Sequence, residues 1–402
     1  MRLALIIDDY LPSSTRVGAK MFHELALELT SQGHEITVIT PGVNQKKKLI
    51  EHSLDGVTIW KFSSGLIKDV NKVTRATNET LLSYKAWTAI KHKVEENMFD
   101  GVVYYSPSIF FGSLVKKLKN RCMCPAYLVL RDLFPQWIVD AGMINEGSII
   151  ERYFRFFERY SYSQADMIGL MSEKNREKFE LQTNSAYSTE VLRNWASIKP
   201  HEYSDSRTSI RIELGLENKV IFFYGGNIGH AQDMSNLLRL ARNMQHYPDA
   251  HFLFVGQGDE VELINRLARE WNLTNFSYLP SVDQNTFKNI LSEIDIGLFS
   301  LSSEHTSHNF PGKLLGYMVQ SLPILGSVNQ GNDLLELVNS NNAGLITVNG
   351  NDNSLLQNAI KLLDDGGFRK TLGNGAYRLL CDEFAVSSIA SLIIQKVESA
   401  KY

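Results

Sequence analysis

The sequence predicts an α/β protein built from two doubly wound domains, and three observations carry that reading. Its 402 residues exceed what one ordinary hydrophobic core supports. Short, mainly apolar runs, such as 3–7 (LALII), 126–130 (AYLVL) and 251–255 (HFLFV), alternate with helix-length amphipathic segments. That is the pattern of parallel strands buried on both faces between covering helices. Finally, the polar stretch 197–211, which carries Pro200 and no periodicity, interrupts the alternation, which then restarts. The expected domains are therefore 1–198 and 199–382, with a last helix at about 383–402 packing back on the first.

Composition narrows the function classes. With 44% apolar and 21% charged residues and no low-complexity tract, the chain is that of a globular protein. The opening MRLALIIDDY reads as a strand cut short by Asp8 and Asp9, neither a signal peptide nor a membrane span. A cytoplasmic protein is expected, with Cys122, Cys124 and Cys381 as reduced thiols, because Cys-Met-Cys is too tight for the usual zinc spacing. The net charge of −3 hides a basic excess in the first half and an acidic excess in the second. A basic half with hydrophobic helices suits an anionic membrane surface or a phosphorylated substrate. No nucleic-acid partner is expected.

In chain order, strand 3–7 leads into a turn-rich loop, 8–18, and an amphipathic helix, 19–31. Strand 33–40 completes a βαβ unit that lacks the Gly-x-Gly-x-x-Gly spacing of dinucleotide sites. Arg16 and Gly18, near the helix start, fit a phosphate contact or an ordinary loop equally well. After strand 57–62, the segment 63–97 places apolar residues at helical spacing among lysines, with Tyr84 and Trp87 beside Lys85 and Lys91. Such a helix covers a sheet face, docks on a membrane, or does both. Strand 101–105 delivers Ser106, and strand 126–130 delivers Arg131 and Asp132. A charged pair just after a buried strand stands where α/β enzymes place active residues, although the two side chains can also simply pair with each other. Helix 149–162 is aromatic-rich and reads as core, and strands at 165–171 and 191–192 end the first half.

In the second half, strand 219–224 (KVIFFY) opens on Gly225–Gly226–Asn227–Ile228–Gly229, and strand 251–255 opens on Gly256–Gln257–Gly258. Glycine-rich turns between strand and helix let backbone approach a phosphate. Between strands 294–301 and 323–327 lies the segment His308–Asn309–Phe310–Pro311–Gly312–Lys313, with a helix expected from about 313 to 320. Helix first turns favour acids, so Lys313 points either to an anion or to a solvated turn. The run 329–334 (NQGNDL) opens one more helix.

The motifs 224–229 (YGGNIG), 255–258 (VGQG), 310–315 (FPGKLL) and 322–324 (LPI) resemble retaining nucleotide-sugar glycosyltransferases of family 4, which have the GT-B fold, two Rossmann-like domains facing across a cleft. The segments 131–135 (RDLFP) and 191–195 (VLRNW) are similar to a branch acting in bacterial surface-polysaccharide assembly. His308–Lys313 with Gly331–Asn332–Asp333 is most similar to its O-antigen and capsule N-acetyl-L-fucosaminyltransferases. The resemblance implies that Gly226, Asn227 and Gly229 approach the donor diphosphate, that Lys313 pairs with a phosphate, and that Gly256 and Gly258 shape the nucleotide side. It places Asn309, Pro311, Gly312, Gly331, Asn332 and Asp333 around the donor. The chain departs from the family in three places. His308 and Gly316 stand where two glutamates are usual, Ser106 replaces a common histidine, and His230 and Gln232 replace a basic pair. More of the diphosphate charge then falls on Lys313, with Arg16 as a helper, and His308 faces the sugar.

The resemblance further implies a UDP-sugar donor, a polyprenyl-diphosphate-linked saccharide acceptor at the inner face of the plasma membrane, and a retaining reaction with no cofactor. No Asp-x-Asp sequence occurs, so no metal is expected at the diphosphate. If a base acts on the acceptor, Asp132 is the first candidate and Asp8 or Asp9 the second. Two other classes stay open: a nucleotide-sugar 2-epimerase of similar fold and a non-catalytic nucleotide-sugar sensor.

Overall fold

A computed structural model describes residues 1–14, 16–43, 45–67, 72–106, 108–140, 142–201, 209–304 and 310–400, with backbone alone at Lys72, Val73, Trp137 and Asp140. The chain divides into two units, Met1–Trp195 with Val386–Tyr402, and Ala196–Ala385. The crossing falls three residues before the boundary at 198 that the sequence suggests, where the Ala196 N–H donates to Phe384 O at 3.0 Å.

The first unit contains strands β1 (Arg2–Ile6), β2 (Glu35–Gly42), β3 (Leu49–Leu54), β4 (Val57–Ser63), β5 (Gly101–Ser106), β6 (Ala126–Leu130), β7 (Met167–Leu170) and β8 (Thr189–Val191). They form one sheet in the order β3-β4-β2-β1-β5-β6-β7-β8. All pairs are parallel except the β3–β4 hairpin. Apolar residues on both faces explain the mainly apolar runs. Along β1, Leu3 and Leu5 enter one core cluster with Phe22 and Leu25, while Ala4 and Ile6 enter the other with Leu114 and Leu118. The terminal helix Val386–Ser399 lies against the helix Val17–Ser31, and Ile389, Ala390, Ile393 and Val397 complete the first of those clusters.

The second unit contains β9 (Val220–Asn227), β10 (Ala250–Gln257), β11 (Phe276–Pro280), β12 (Ile296–Ser300), β13 (Ile324–Val328) and β14 (Gly344–Val348). Its sheet is parallel throughout in the order β11-β10-β9-β12-β13-β14. Alternation again feeds two clusters, Phe222 and Tyr224 to one side and Ile221 and Phe223 to the other.

Some expectations need correcting. The segment 63–97 holds two short helices, Lys72–Thr80 and Leu82–Ile90. Thr80 Oγ donates back to Ala76 O at 2.6 Å, and such back-bonding bends or ends a helix. Within the second of these helices Lys85 is not a free surface cation: its ammonium donates to Ser64 O and to Asn78 Oδ1. Trp87 packs against the core with Lys117 over its ring. Among the described residues, no helix is long and apolar enough to cross a membrane.

Candidate functional site

In a doubly wound sheet, neighbouring strands whose connections run to opposite sides leave a crevice at their carboxyl ends, where ligands bind. In the second sheet that point lies between β9 and β12. The two strands pair only at Ile296↔Phe222 and Gly297↔Phe223, so they splay beyond that. Tyr317, on the helix Lys313–Val319, fills the gap. Its hydroxyl accepts from the Gly225 N–H at 3.2 Å and lies 3.1 Å from Leu298 O and 3.3 Å from Phe223 O. Gly297 makes room for the ring, since a Cβ there would lie 2.4 Å from it. A single tyrosine thus takes the place of the missing ladder and fixes both lips of the crevice.

Gly226 stands on one lip with φ +114°, a conformation L side chains rarely adopt. Among the described residues, a Cβ on it would have only Lys313 Cε within 4 Å, at 3.9 Å. Gly256, on the neighbouring turn, is glycine for another reason: a Cβ would lie 1.8 Å from Gly226 O. Gly258 similarly abuts Ile228 O. These two glycines therefore pack one turn onto the next and hold the Gly226 turn in place. Asn227 Nδ2 donates to Gln232 Oε1 at 2.9 Å, bracing that turn from the far side of Gly229.

Lys313 begins the helix on the opposite lip. Its Nζ is cut off from solvent although the residue as a whole is partly exposed, and it has no hydrogen-bond partner among the described residues. It lies 3.5 Å from the centroid of the buried Tyr224 ring. Burial pushes its pKa well below the ordinary lysine value. An unpaired, desolvated ammonium costs several kcal/mol, of which a cation–π contact offsets roughly 2 kcal/mol. The position is therefore one that an anion would relieve. Pro311 and Gly312 lead into this helix, and Gly312 makes no side-chain cap. His308 and Asn309 lie outside the described residues.

After β13, the Asn332 side chain accepts from Leu334 N–H at 3.0 Å and donates to Asn329 Oδ1 at 2.9 Å. It is thus engaged in capping the helix Asp333–Ser340. Gly331 takes a positive φ of +78° in front of it. The strand order sets the loops carrying Gly256, Gly226, Lys313 and Gly331 side by side along one edge. Beneath that edge is a polar knot that sequence reasoning missed: Asn236 Oδ1 accepts from the Ser327 and Ser300 hydroxyls at 2.7 and 3.3 Å. It ties the ends of β12 and β13 to the helix Met234–Asn243.

The first sheet has its own switch point between β1 and β5. Asp8 and Asp9 follow β1, Ser106 ends β5, and Arg131 and Asp132 follow β6. Ser106 Oγ is buried with no partner among the described residues. Arg131 is structural: its guanidinium stacks 5.4 Å from the Trp195 ring centroid and donates to the carbonyls of Leu130, Gly169 and Arg193. Burial lowers its pKa to about 10. Asp132 makes no ion pair with it and stays exposed. Crowding by protein raises its carboxyl above the ordinary range, with Arg131 pulling it down and Asp8 pushing it up. Water at an exposed carboxyl keeps that rise small. Arg16 pairs with Asp9 at 3.8 Å, and a Cβ on Gly18 would meet the Tyr105 hydroxyl at 2.9 Å. In this unit the residues expected at a phosphate are thus occupied by a carboxylate and by packing.

Comparison with known proteins bears on the second unit most directly, since residues 206–379 match the family of glycosyl transferases group 1. The second unit is thus the part of the chain similar to that family. A protein of Pseudomonas aeruginosa named probable glycosyltransferase WbjE is 26% identical over 208 residues, 51% of this chain and 51% of its own length. The chain thus aligns with about half of that relative. A protein of Escherichia coli K12 named putative colanic acid biosynthesis glycosyl transferase WcaI is 22% identical over 70% of this chain and 72% of its own. Among solved structures, sucrose-phosphate synthase of Thermosynechococcus elongatus superposes with a TM-score of 0.74 at 16% identity, covering 99% of this chain and 98% of that one. Anabaena HepE, solved with UDP and glucose, gives 0.67 at 14% identity over 99% and 100%. At these identities the likeness is one of fold, and that fold is GT-B, two Rossmann-like domains.

Proposed function

We propose that this protein is a retaining glycosyltransferase that moves a sugar from a UDP-sugar to a lipid-linked saccharide in bacterial surface-polysaccharide assembly. The observation that carries the reading is Lys313: a desolvated ammonium with no counter-ion among the described residues, beside Gly226 at the crevice of the unit that matches glycosyl transferases group 1. A diphosphate leaving group supplies the missing charge, and its departure is eased by positive charge placed where negative charge develops. UDP as the nucleotide is favoured by HepE, solved with UDP, and polysaccharide assembly by the relative named putative colanic acid biosynthesis glycosyl transferase WcaI. The motif resemblance at Lys313 and Gly331–Asp333 favours an N-acetylated deoxyamino sugar such as N-acetyl-fucosamine.

In the reaction, the acceptor hydroxyl oxygen bonds to the anomeric carbon from the face the diphosphate leaves. The bond from that carbon to the diphosphate oxygen breaks, and UDP departs with the electron pair. The hydroxyl proton passes to the departing phosphate oxygen, or to Asp132 if a protein base acts. Lys313 and the backbone at Gly226 meet the charge of the diphosphate, so the reading needs neither a metal nor a covalent protein intermediate.

The test is UDP release by the purified protein from UDP-linked amino sugars, with and without a polyprenyl-diphosphate N-acetylglucosamine acceptor. Acceptor-dependent release supports the transferase. Conversion of the donor sugar with no acceptor present would instead make it an epimerase. Donor binding without turnover of any acceptor would make it a sensor.

A further inference from the structure

The helix Ile149–Tyr162 is amphipathic in the reverse of the usual sense. Its carboxylates, Glu151 and Glu158, face inward and are buried, each paired to Arg155, at 2.9 and 3.1 Å. Glu158 also accepts from the Tyr162 hydroxyl at 3.1 Å. The outward face, by contrast, carries Ile149, Ile150, Tyr153 and Phe156, with Ile149 85% and Phe156 64% exposed. Interleaved with them are Arg152 and Arg159, both exposed. Within this helix, then, no exposed acid opposes the two exposed cations; Glu146 stands in the loop before it. The face extends further, since the Tyr153 hydroxyl meets that of Thr80, and Tyr84, one turn beyond Thr80, is 64% exposed. An apolar face of this kind on a folded protein marks an interaction site.

We infer that this helix face docks the protein on an anionic lipid surface. Three features select that occupant. Within the helix the exposed charges are cationic only, which suits anionic headgroups. Tyrosine and phenylalanine with flanking arginine are the residues that settle at the boundary of headgroup and acyl chain. A symmetric second copy, by contrast, would set Arg152 and Arg159 near their own kind with no carboxylate on the helix to meet them. Topology adds a purpose. The helix crosses from β6 back to β7, so its first residues, Ile149 and Ile150, lie toward the carboxyl edge that carries Ser106 and Asp132. The inference deepens the lipid-linked-acceptor reading by naming the surface that would bring the first unit to such an acceptor.

The test is co-sedimentation of the full chain with vesicles of phosphatidylcholine alone and of phosphatidylcholine mixed with phosphatidylglycerol. The wild type is expected to bind the mixed vesicles and not the neutral ones. Arg152→Gln with Arg159→Gln should lower partitioning roughly thirtyfold, at about fivefold per cation. Ile149→Ser with Phe156→Ser should lower it at least about tenfold. All four side chains are exposed, so unchanged melting temperatures will show that the variants fold. Failure of the wild type to bind, or equal binding by the variants, overturns the inference. So does self-association that is lost in Ile149→Ser with Phe156→Ser and is unaccompanied by vesicle binding. No sugar is present in the assay, so its failure leaves the transferase reading to stand or fall on UDP release.

Discussion

At Lys313 the ammonium is held away from water with the face of Tyr224 beneath it and no hydrogen-bond partner among the described residues. Its folded pKa is lowered, so the penalty for charging it is present in full below that folded value. That penalty is relieved as pH rises from the folded value toward the unfolded one, because the unfolded chain there binds more protons. Ligand-free stability attributable to this residue should therefore rise with pH in that window, while affinity for an anion falls. Lys313→Met, similar in volume and neutral, should stabilise the ligand-free protein by about 1–3 kcal/mol in a denaturant titration at neutral pH. Asp132 makes a different prediction. If it is the base, Asp132→Asn lowers transfer by roughly 10²- to 10⁴-fold and leaves UDP binding unchanged. The acid limb of the wild-type rate should then lie above the ordinary aspartate value, since its carboxyl is raised and must lose its proton to act. Unchanged transfer by Asp132→Asn would assign the proton to the departing phosphate.

The elements around the crevice are fixed by contacts more than by composition. Tyr317→Phe removes the partner of the buried Gly225 N–H, which should cost about 1–3 kcal/mol and loosen the Gly226 turn. Chemical denaturation, read beside UDP affinity, checks both effects, and an unaltered protein on both counts would show that Tyr317 merely packs. Much of this region was legible in the sequence. Strand, glycine turn and helix punctuation placed Gly226, Gly256 and Lys313 on one edge, because glycine and lysine at those points break ordinary helix and strand preferences. The role of Tyr317 was not legible: an aromatic residue inside a helix reads as core, and only the short β9–β12 pairing reveals the gap it fills. Strand β3 was missed because LIEHSL is polar and lies at the sheet edge. The Asp55–Gly56 turn, with both residues at positive φ, was the signal that could have found it. The outward aromatic face of Ile149–Tyr162 was read as core because periodicity gives a face without saying which way it points.

For the whole molecule, the last helix carries the chain back to the unit where it began. It follows the second unit in the chain but belongs to the first, where Ile389, Ile393 and Val397 are buried with Leu3, Leu5 and Phe22. Burying three such side chains contributes roughly 4–9 kcal/mol as an upper estimate, comparable with the whole stability of a domain. Ending the chain at Ala385 should thus unfold or aggregate the first unit. The second should keep its fold and the proposed UDP site, which limited proteolysis and UDP titration of the truncated chain would show. The two-unit plan was visible in the sequence because parallel sheets buried on both faces leave unmistakable apolar runs, and the polar stretch after Trp195 interrupts them. The crossing itself, held by Ala196 against Phe384, leaves no compositional mark. The measurement that bears most directly on the central claim is calorimetric titration of UDP into the wild type and Lys313→Ala. Binding by the wild type that weakens about 10- to 100-fold in the variant, the loss expected for one charge-assisted contact, is the result predicted. Equal affinity in the two proteins would contradict the assignment of Lys313 as the diphosphate's partner.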